Sequence, residues 1–433
     1  MPKGKRWLIS YPVIFVAALI AMILLLVFSA LIPRELIQAN MEESADYIGG
    51  VQQVEYALPG VYGTQIHYTA DAIWLSIAYG LDSAHPLESA MHSSYYLSKM
   101  ENVCRSFAAQ VENQLPGNTQ YLRYWHGAAA ILRLLHIGLN IRQIYMLHAV
   151  IMSGLLACLL WLLYKHRFGY EAVSLCIALL MVSAWVAPLC LEYTWVFLVM
   201  LTASITGVRL ALEKRYRHMG VLFLLTGMVT VYLDFLTAET LTLLMPLLLV
   251  LRVKNAQSES GSAMQRFSAK AGCLWLTGYC GMWAAKWAAA SVVLRQNVMP
   301  LVQSHIDERL GGSVGVSLPE FLVGAVARNF RRLAFYDYGL FGAAALTALI
   351  AAACVPVARG KVQLRTEIKK SNLALYAALG CIPYIRFLVL RNHSWGHFCF
   401  TYRAQAAAIL AVCFVILELV EKTAPKGEVS AHE

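Results

Sequence analysis

Four short stretches of this 433-residue chain gather side chains able to move a proton or hold an anion. The first, His67-Tyr68-Thr69-Ala70-Asp71-Ala72-Ile73-Trp74-Leu75, places Asp71 just before or within a helix. A carboxylate there can cap backbone N–H groups. In a water-accessible cleft near the membrane it can instead serve as a general base. Asp46, in the run Glu35 to Ile48, is the second candidate base. The stretch Arg123-Tyr124-Trp125-His126 is cationic and aromatic together. It suits an interfacial belt, where Trp and Tyr sit at headgroup level and Arg snorkels. It equally suits a phosphate near the bilayer surface, because the planar guanidinium fork binds two phosphate oxygens.

Asp234-Phe235-Leu236-Thr237-Ala238-Glu239 sets two carboxylates in one short turn. Acids at membrane depth face a cavity or a partner; at the surface they need neither. In Asn392-His393-Ser394-Trp395-Gly396-His397, the two histidines are four apart and share one face of a helix. HExxH is missing and no third ligand is in view, so no metal is expected. With Arg403 close behind, the imidazoles suit a phosphate or pyrophosphate. Residues 294–338 add His305, Asp307, Glu308 and Arg309, then Arg328, Arg331 and Arg332. Lys286, flanked by Trp283 and Trp287 in an apolar run, needs a partner or a water-lined cavity.

The elements that must position these groups are membrane helices. The chain is 59% hydrophobic and 14% charged, against about 25% charged in soluble domains. Its apolar residues form runs long enough to cross the hydrocarbon layer. Backbone groups in lipid must be satisfied internally, which selects helices, and the alternating pattern of a barrel is missing. The expected spans are 8–32, 143–164, 172–191, 194–212, 219–235, 238–252, 271–293, 339–358, 373–390 and 404–421. Every second connection is basic. These are the N-terminus with Lys3, Lys5 and Arg6; Lys165 and Arg167; Lys214, Arg215 and Arg217; Arg252 and Lys254; Arg359 to Lys370; and a tail with Lys422 and Lys426. By the positive-inside rule these connections and both termini are cytoplasmic. The chain therefore reads as one all-α polytopic membrane domain, 1–433, with about ten transmembrane helices. After the first helix comes a large extracytoplasmic loop, 33–142, then the remaining bundle, 143–421, and a cytoplasmic tail, 422–433.

The net charge of +10 sits mainly at the ends of apolar runs, so topology accounts for it and no nucleic-acid partner is expected. Eight of ten cysteines fall within expected spans, with no CxxC or metal spacing, so neither disulfide framework nor zinc site is expected. The first run is too long for a signal peptide, and Phe28-Ser29-Ala30 is a poor cleavage site; it reads as an uncleaved helix. Glu35 to Ile48 shows amphipathic spacing in Leu36, Ile37, Met41 and Ala45, and Tyr121 to Leu139 reads as a second interfacial helix.

With its first helix, its loop 33–142 carrying two amphipathic segments, and its outward acids and bases, the chain resembles the GT-C superfamily of membrane glycosyltransferases. The stretches Tyr121–Gly127, Asp234–Thr237, Asn392–Ser394 and Thr401–Arg403 are also similar to uncharacterised multi-pass proteins of Gram-positive bacteria. The resemblance implies a bacterial plasma membrane and a polyprenyl-phosphate-linked sugar as donor. It also implies a cell-envelope glycan, teichoic acid or protein as acceptor, and no cofactor. It implies a catalytic acid soon after the first helix, where Glu35, Asp46 and Asp71 compete. Asp71, or else Asp46, would take the acceptor proton. Arg123, Trp125, His126, Asp234, Glu239, His393, His397 and Arg403 would bind substrate, with the cationic groups on the phosphate. The mild asymmetry of the spans speaks against a transporter or flippase, which is the alternative reading together with a non-catalytic subunit of an envelope assembly.

Overall fold

The structure, a computed structural model, describes residues 3–310, 315–333, 362–365 and 368–422. The expected span 339–358, the basic residues Arg359, Lys361 and Lys426, and the tail beyond 422 lie outside the described residues.

The fold is all-α, with two short hairpins among the described residues. Helix α1 (Lys3–Ala30) is strongly apolar from Ser10 to Ala30. Pro33 ends it, because the proline ring forbids continuation, and a short turn, Arg34–Leu36, leads into α2 (Gln38–Gly50). Helix α2 buries Met41, Ser44, Ala45 and Ile48, the spacing of one helical face, and packs on later helices. The strands β1 (Val54–Tyr56) and β2 (Gln65–His67) pair antiparallel and feed α3 (Tyr68–Gly80). The small helices α4 (Pro86–His92), α5 (Val103–Glu112) and α6 (Gly127–Leu135) complete the loop. The second interfacial segment is thus only the nine residues of α6, begun at His126 with φ 56°. Asn140 and Gln143 then form a capping box, and this fixes the start of α7 (Ile141–Lys165).

The rest of the bundle comprises α8 (Gly169–Met181), α9 (Leu191–Leu212), α10 (Met219–Leu233), α11 (Leu241–Ala256), α12 (Gly261–Val293), α13 (Met299–Leu310) and α14 (Leu318–Phe330). It closes with α15 (Lys370–Val389), α16 (Arg391–Gly396), α17 (Phe398–Thr401) and α18 (Ala406–Leu419). A last hairpin pairs β3 (Val362–Leu364) with β4 (Val420–Lys422).

Among the described residues, six helical segments are long and apolar enough to cross a membrane: Ser10–Ala30, Ile141–Lys165, Leu191–Leu212, Tyr216–Leu233, Lys370–Val389 and Phe398–Leu419. The expected run 172–191 is not continuous. Helix α8 stops at Met181, Ser183 turns to φ 51°, and Pro188 lies in the irregular turn that follows. Its 13 residues rise only about 20 Å. Helix α11, 16 residues with Pro246 inside, is buried on almost every side and forms the centre of the bundle. Helices α10 and α12 cross at Gly227 and Gly278. A Cβ on either would come within 2.2 Å of a backbone oxygen of the other helix, so only glycine permits this approach.

At the end of the bundle away from the loop, Arg252 joins Glu171 at 2.8 Å and Glu418 at 2.5 Å. Asn255 also donates to Glu418, and Asn372 donates to Asn255 at 3.0 Å. The knot ties α8, α11, α15 and α18 together.

Candidate functional site

The functional side chains gather at the opposite end, where the loop packs on the N-termini of α9 and α18. Asp71, in the first turn of α3, is wholly buried. It accepts from Tyr145 Oη at 2.6 Å, from Leu191 N at 2.9 Å and from Glu192 N at 3.3 Å, with Cys190 Sγ 3.7 Å away. These contacts make it a cap for α9 rather than for its own helix. Burial pushes its carboxyl up to about 6 against the opposing pull of those donors. The water-accessible cleft expected around Asp71 is not there: its side chain has no exposed surface. Asp46 is exposed on α2, on the face away from Met41 and Ala45.

Arg123 lies between the rings of Tyr121 and Tyr124, 4.7 and 5.0 Å from their centroids. It donates to Tyr121 Oη at 2.6 Å and to His305 Nδ1 at 3.2 Å. Trp125 points the other way. Its indole N–H donates to Met282 O at 2.8 Å, and the ring packs with Tyr232 between α10 and α12. His126 is buried; its Nε2 donates to Tyr121 O at 2.9 Å and its Nδ1 has no partner. Burial, with Lys286 nearby, holds His126 well below the usual imidazole range and so neutral.

Asp234, just beyond α10, accepts from Thr237 N at 3.0 Å and from the Thr237 hydroxyl. Burial and the neighbouring Glu239 push its carboxyl up to about 7. Glu239 itself is bound by Arg386 at 2.8 and 3.1 Å, and Arg386 also holds Leu236 O at 2.8 Å. His393 faces the same guanidinium at 3.4 Å, while His397 accepts from Arg309 at 3.3 Å. Burial and these arginines keep both imidazoles neutral, His397 near 4. The rings are 4.8 Å apart, and no group of three potential metal ligands occurs among the described residues. Arg403 is buried, stacked 3.9 Å from the Tyr193 ring, and donates to Cys399 O and Gly63 O.

The expected cluster therefore divides. Arg123, Asp234, Glu239, His393, His397 and Arg403 lie at this end; Trp125 is turned into packing and Asp46 stands apart. The buried histidines are uncharged, so the positive charge at this end is carried by arginines.

Three contributors were not singled out as site residues from sequence. Glu192, at the start of α9, is 7% exposed, accepts no hydrogen bond and makes no ion pair with any described residue, although Asp71, Asp234 and Arg403 act on it. Arg386 organises the turn 234–239 from within an apolar helix. Arg309 bridges His397 to a cavity. An ionisable residue inside an apolar run is the signal that could have found Arg386. Around Glu192 stand buried polar atoms with no partner: His67 Nε2, Tyr193 Oη and Arg403 Nε.

The cavity, about 410 Å³, lies between α12, α13 and the stretch after Tyr121. It is lined by Arg123, His305 and Arg309 together with Tyr279, Trp283, Trp287, Val302, Ile306 and Leu310. Tyr124 and Leu236, which flank Asp234 in space and in sequence, also line it. Comparisons with protein-family models, curated proteins and solved structures found no match.

Proposed function

We propose that this chain is a membrane glycosyltransferase of GT-C type that moves a sugar from a polyprenyl-phosphate donor to a cell-envelope acceptor. In this reading it has about ten spans, both termini in the cytoplasm, and its site on the outer face of a bacterial plasma membrane. One observation carries the reading: a cavity lined by aromatic and aliphatic side chains also presents two arginines, close to a buried carboxylate turn. An isoprenoid chain fits the cavity, and its phosphate fits the arginine forks.

The base is reassigned. Asp71 is occupied with capping, whereas Asp234, also buried, lies behind the cavity-lining Tyr124 and Leu236 and keeps lone pairs beyond its Thr237 contacts. An acid constant near 7 suits proton removal at neutral pH. The acceptor hydroxyl gives its proton to Asp234, its oxygen bonds to the anomeric carbon, and the carbon–oxygen bond to phosphate breaks. Arg123 and Arg309 take up the charge that develops on the departing phosphate. The transport alternative placed Lys286 on a substrate path. Its ammonium is held by Met91 O at 3.0 Å and lies 5.7 Å from the Trp125 ring, a packing role that lends that alternative no support.

The test is transfer of radiolabelled sugar from a panel of polyprenyl-phosphate donors to an envelope extract. Wild type transfers, and Asp234→Asn, folded to the same degree, loses about 100-fold or more of the rate. Transfer that survives Asp234→Asn moves the base elsewhere. Absence of transfer with every donor, together with lipid flipping, supports the transporter instead.

A further inference from the structure

The first turn of α9 presents a buried carboxyl group that no neighbour uses. Glu192 accepts no hydrogen bond and makes no ion pair with any described residue. Its position is nonetheless fixed. Asp71 on α3 holds Leu191 N at 2.9 Å and Glu192 N at 3.3 Å. One turn on, the Thr194 hydroxyl donates to Ala187 O at 2.8 Å and to Cys190 O at 3.0 Å.

Three further polar atoms near it are buried without a partner: His67 Nε2, Tyr193 Oη and Arg403 Nε. They belong to one cluster. The Arg403 guanidinium lies 3.9 Å from the Tyr193 ring, and the Tyr193 and His67 rings pack on Phe400 at 6.5 and 6.1 Å. The outer nitrogens of Arg403 hold Cys399 O at 3.2 Å and Gly63 O at 3.3 Å, which leaves its Nε–H uncommitted. Tyr193 and Arg403 are each 1% exposed, so bulk solvent does not supply the missing bonds.

The make-up of the cluster selects its ligand. An anion is repelled by Glu192, with Asp71 and Asp234 close enough to act on the same carboxyl. An organic cation meets the Arg403 guanidinium. A metal ion lacks ligands, since no group of three potential metal ligands occurs among the described residues. His67 is neutral, held down at about 4 by burial and by Arg403. What these groups can satisfy is an uncharged ligand that both gives and takes hydrogen bonds. Sugar hydroxyls do both: their O–H groups donate to the carboxylate, and their oxygens accept from Arg403 Nε and the Tyr193 hydroxyl. The Tyr193 and Phe400 rings supply an apolar wall for the C–H face of the sugar.

We propose that Glu192, Tyr193, Arg403 and His67 bind the hydroxyl edge of an uncharged sugar. The proposal rests on the transferase reading and narrows its substrate. The sugar, carried by the donor or standing at the end of the acceptor, is neutral and not a uronic acid. Two contacts link the cluster to the donor cavity. His397, which accepts from the cavity-lining Arg309, stacks on Phe400 at 5.2 Å. Asp234, the proposed base, acts on Glu192 and lies behind the cavity-lining Tyr124 and Leu236.

The experiment measures displacement of a fluorescent polyprenyl phosphate from the full chain in phosphatidylcholine nanodiscs. The competitors are bare polyprenyl phosphate and its glucosyl, galactosyl, mannosyl and glucuronosyl forms. The methyl glycosides of the three hexoses are titrated separately by saturation-transfer NMR. If the donor supplies the sugar, a neutral glycosyl form outcompetes the bare carrier by roughly tenfold or more, and the glucuronosyl form does not. If the acceptor supplies it, the glycosyl forms equal the carrier and a neutral methyl glycoside binds. In either case Glu192→Leu removes the sugar-dependent binding and leaves that of the bare carrier. It also holds or raises the melting temperature, because an apolar group replaces an unbonded carboxyl. Tyr193→Phe weakens the sugar-dependent binding to a smaller extent. The proposal is overturned if no neutral sugar adds binding, if the glucuronosyl form binds as tightly as the best neutral one, or if the sugar-dependent binding survives Glu192→Leu. A fall of many degrees in the melting temperature of Glu192→Leu also overturns it, since the carboxyl then serves the fold. Sugar-dependent binding that needs Glu192, without transfer to any acceptor, refutes the transferase reading alone; transfer indifferent to Glu192→Leu refutes this one alone.

Discussion

The two ends of the bundle differ in how completely their buried charges are paired. At the end away from the loop, Arg252 is held by Glu171 and Glu418 and Asn255 donates to Glu418, although the uncharged Asn372 Oδ1 and Tyr376 Oη there have no partner. At the loop end, Glu192 has no donor, three neighbouring polar atoms have no partner, and the imidazoles are neutral beside arginines. Burying an unsatisfied polar group costs free energy that a structural joint avoids. The Arg252 knot is therefore a joint, and under the proposed reading the partnerless atoms around Glu192 are where a ligand would complete the bonding.

Breaking the joint should give the largest loss of stability. Arg252→Ala strands two buried carboxylates and should lower stability by about 3–5 kcal/mol, read as a large drop in melting temperature in detergent. If the same arginine is silent in stability yet abolishes transfer, the contrast between the ends fails. At the loop end the order reverses. Arg309→Gln should raise the donor KM by roughly 10- to 100-fold, the loss of a charge-assisted phosphate contact, and leave the melting temperature within a few degrees.

The smallest effect is a divergence in pH. Asp71 and Asp234 have folded values near 6 and 7, above the ordinary 3.8. Their raised values favour the folded state when protonated, so this contribution is fully present below about 4 and is lost as pH rises through 6 and 7. The rate moves the other way, rising through about 7 as Asp234 ionises. Melting curves and rates across pH 4–8 should therefore slope in opposite directions. Asp234→Asn should flatten part of the stability slope.

Much of the frame was legible in the chain. Apolar runs and their flanking charges marked the long helices, and the amphipathic spacing of Met41, Ala45 and Ile48 marked α2. The break after α8 was not legible, since residues 172–191 are apolar throughout and only Pro188 interrupts them. Of the site, residue types led to Arg123, Asp234, His393, His397 and Arg403, because they are polar groups that topology did not require. The role of Asp71 was half legible. A capping carboxylate was foreseen, yet the helix it caps is 120 residues further on, a pairing that no local spacing encodes. Trp125 misled because an aromatic beside arginine suits a binding surface, and only the α12 carbonyl it meets reveals a packing role. Arg386 was hidden in a run read for its length, and Glu192 in the tight turn expected between two spans.

The central claim, that the cavity holds an isoprenoid phosphate, is tested most directly by photolabelling with a diazirine-bearing polyprenyl phosphate. The account expects crosslinks to peptides of α12 and α13, around Trp283, Trp287 and Ile306, competed by unlabelled polyprenyl phosphate and strongly reduced in Arg123→Gln with Arg309→Gln. Labelling spread over the lipid-facing helices, indifferent to competitor and to both arginines, would contradict it.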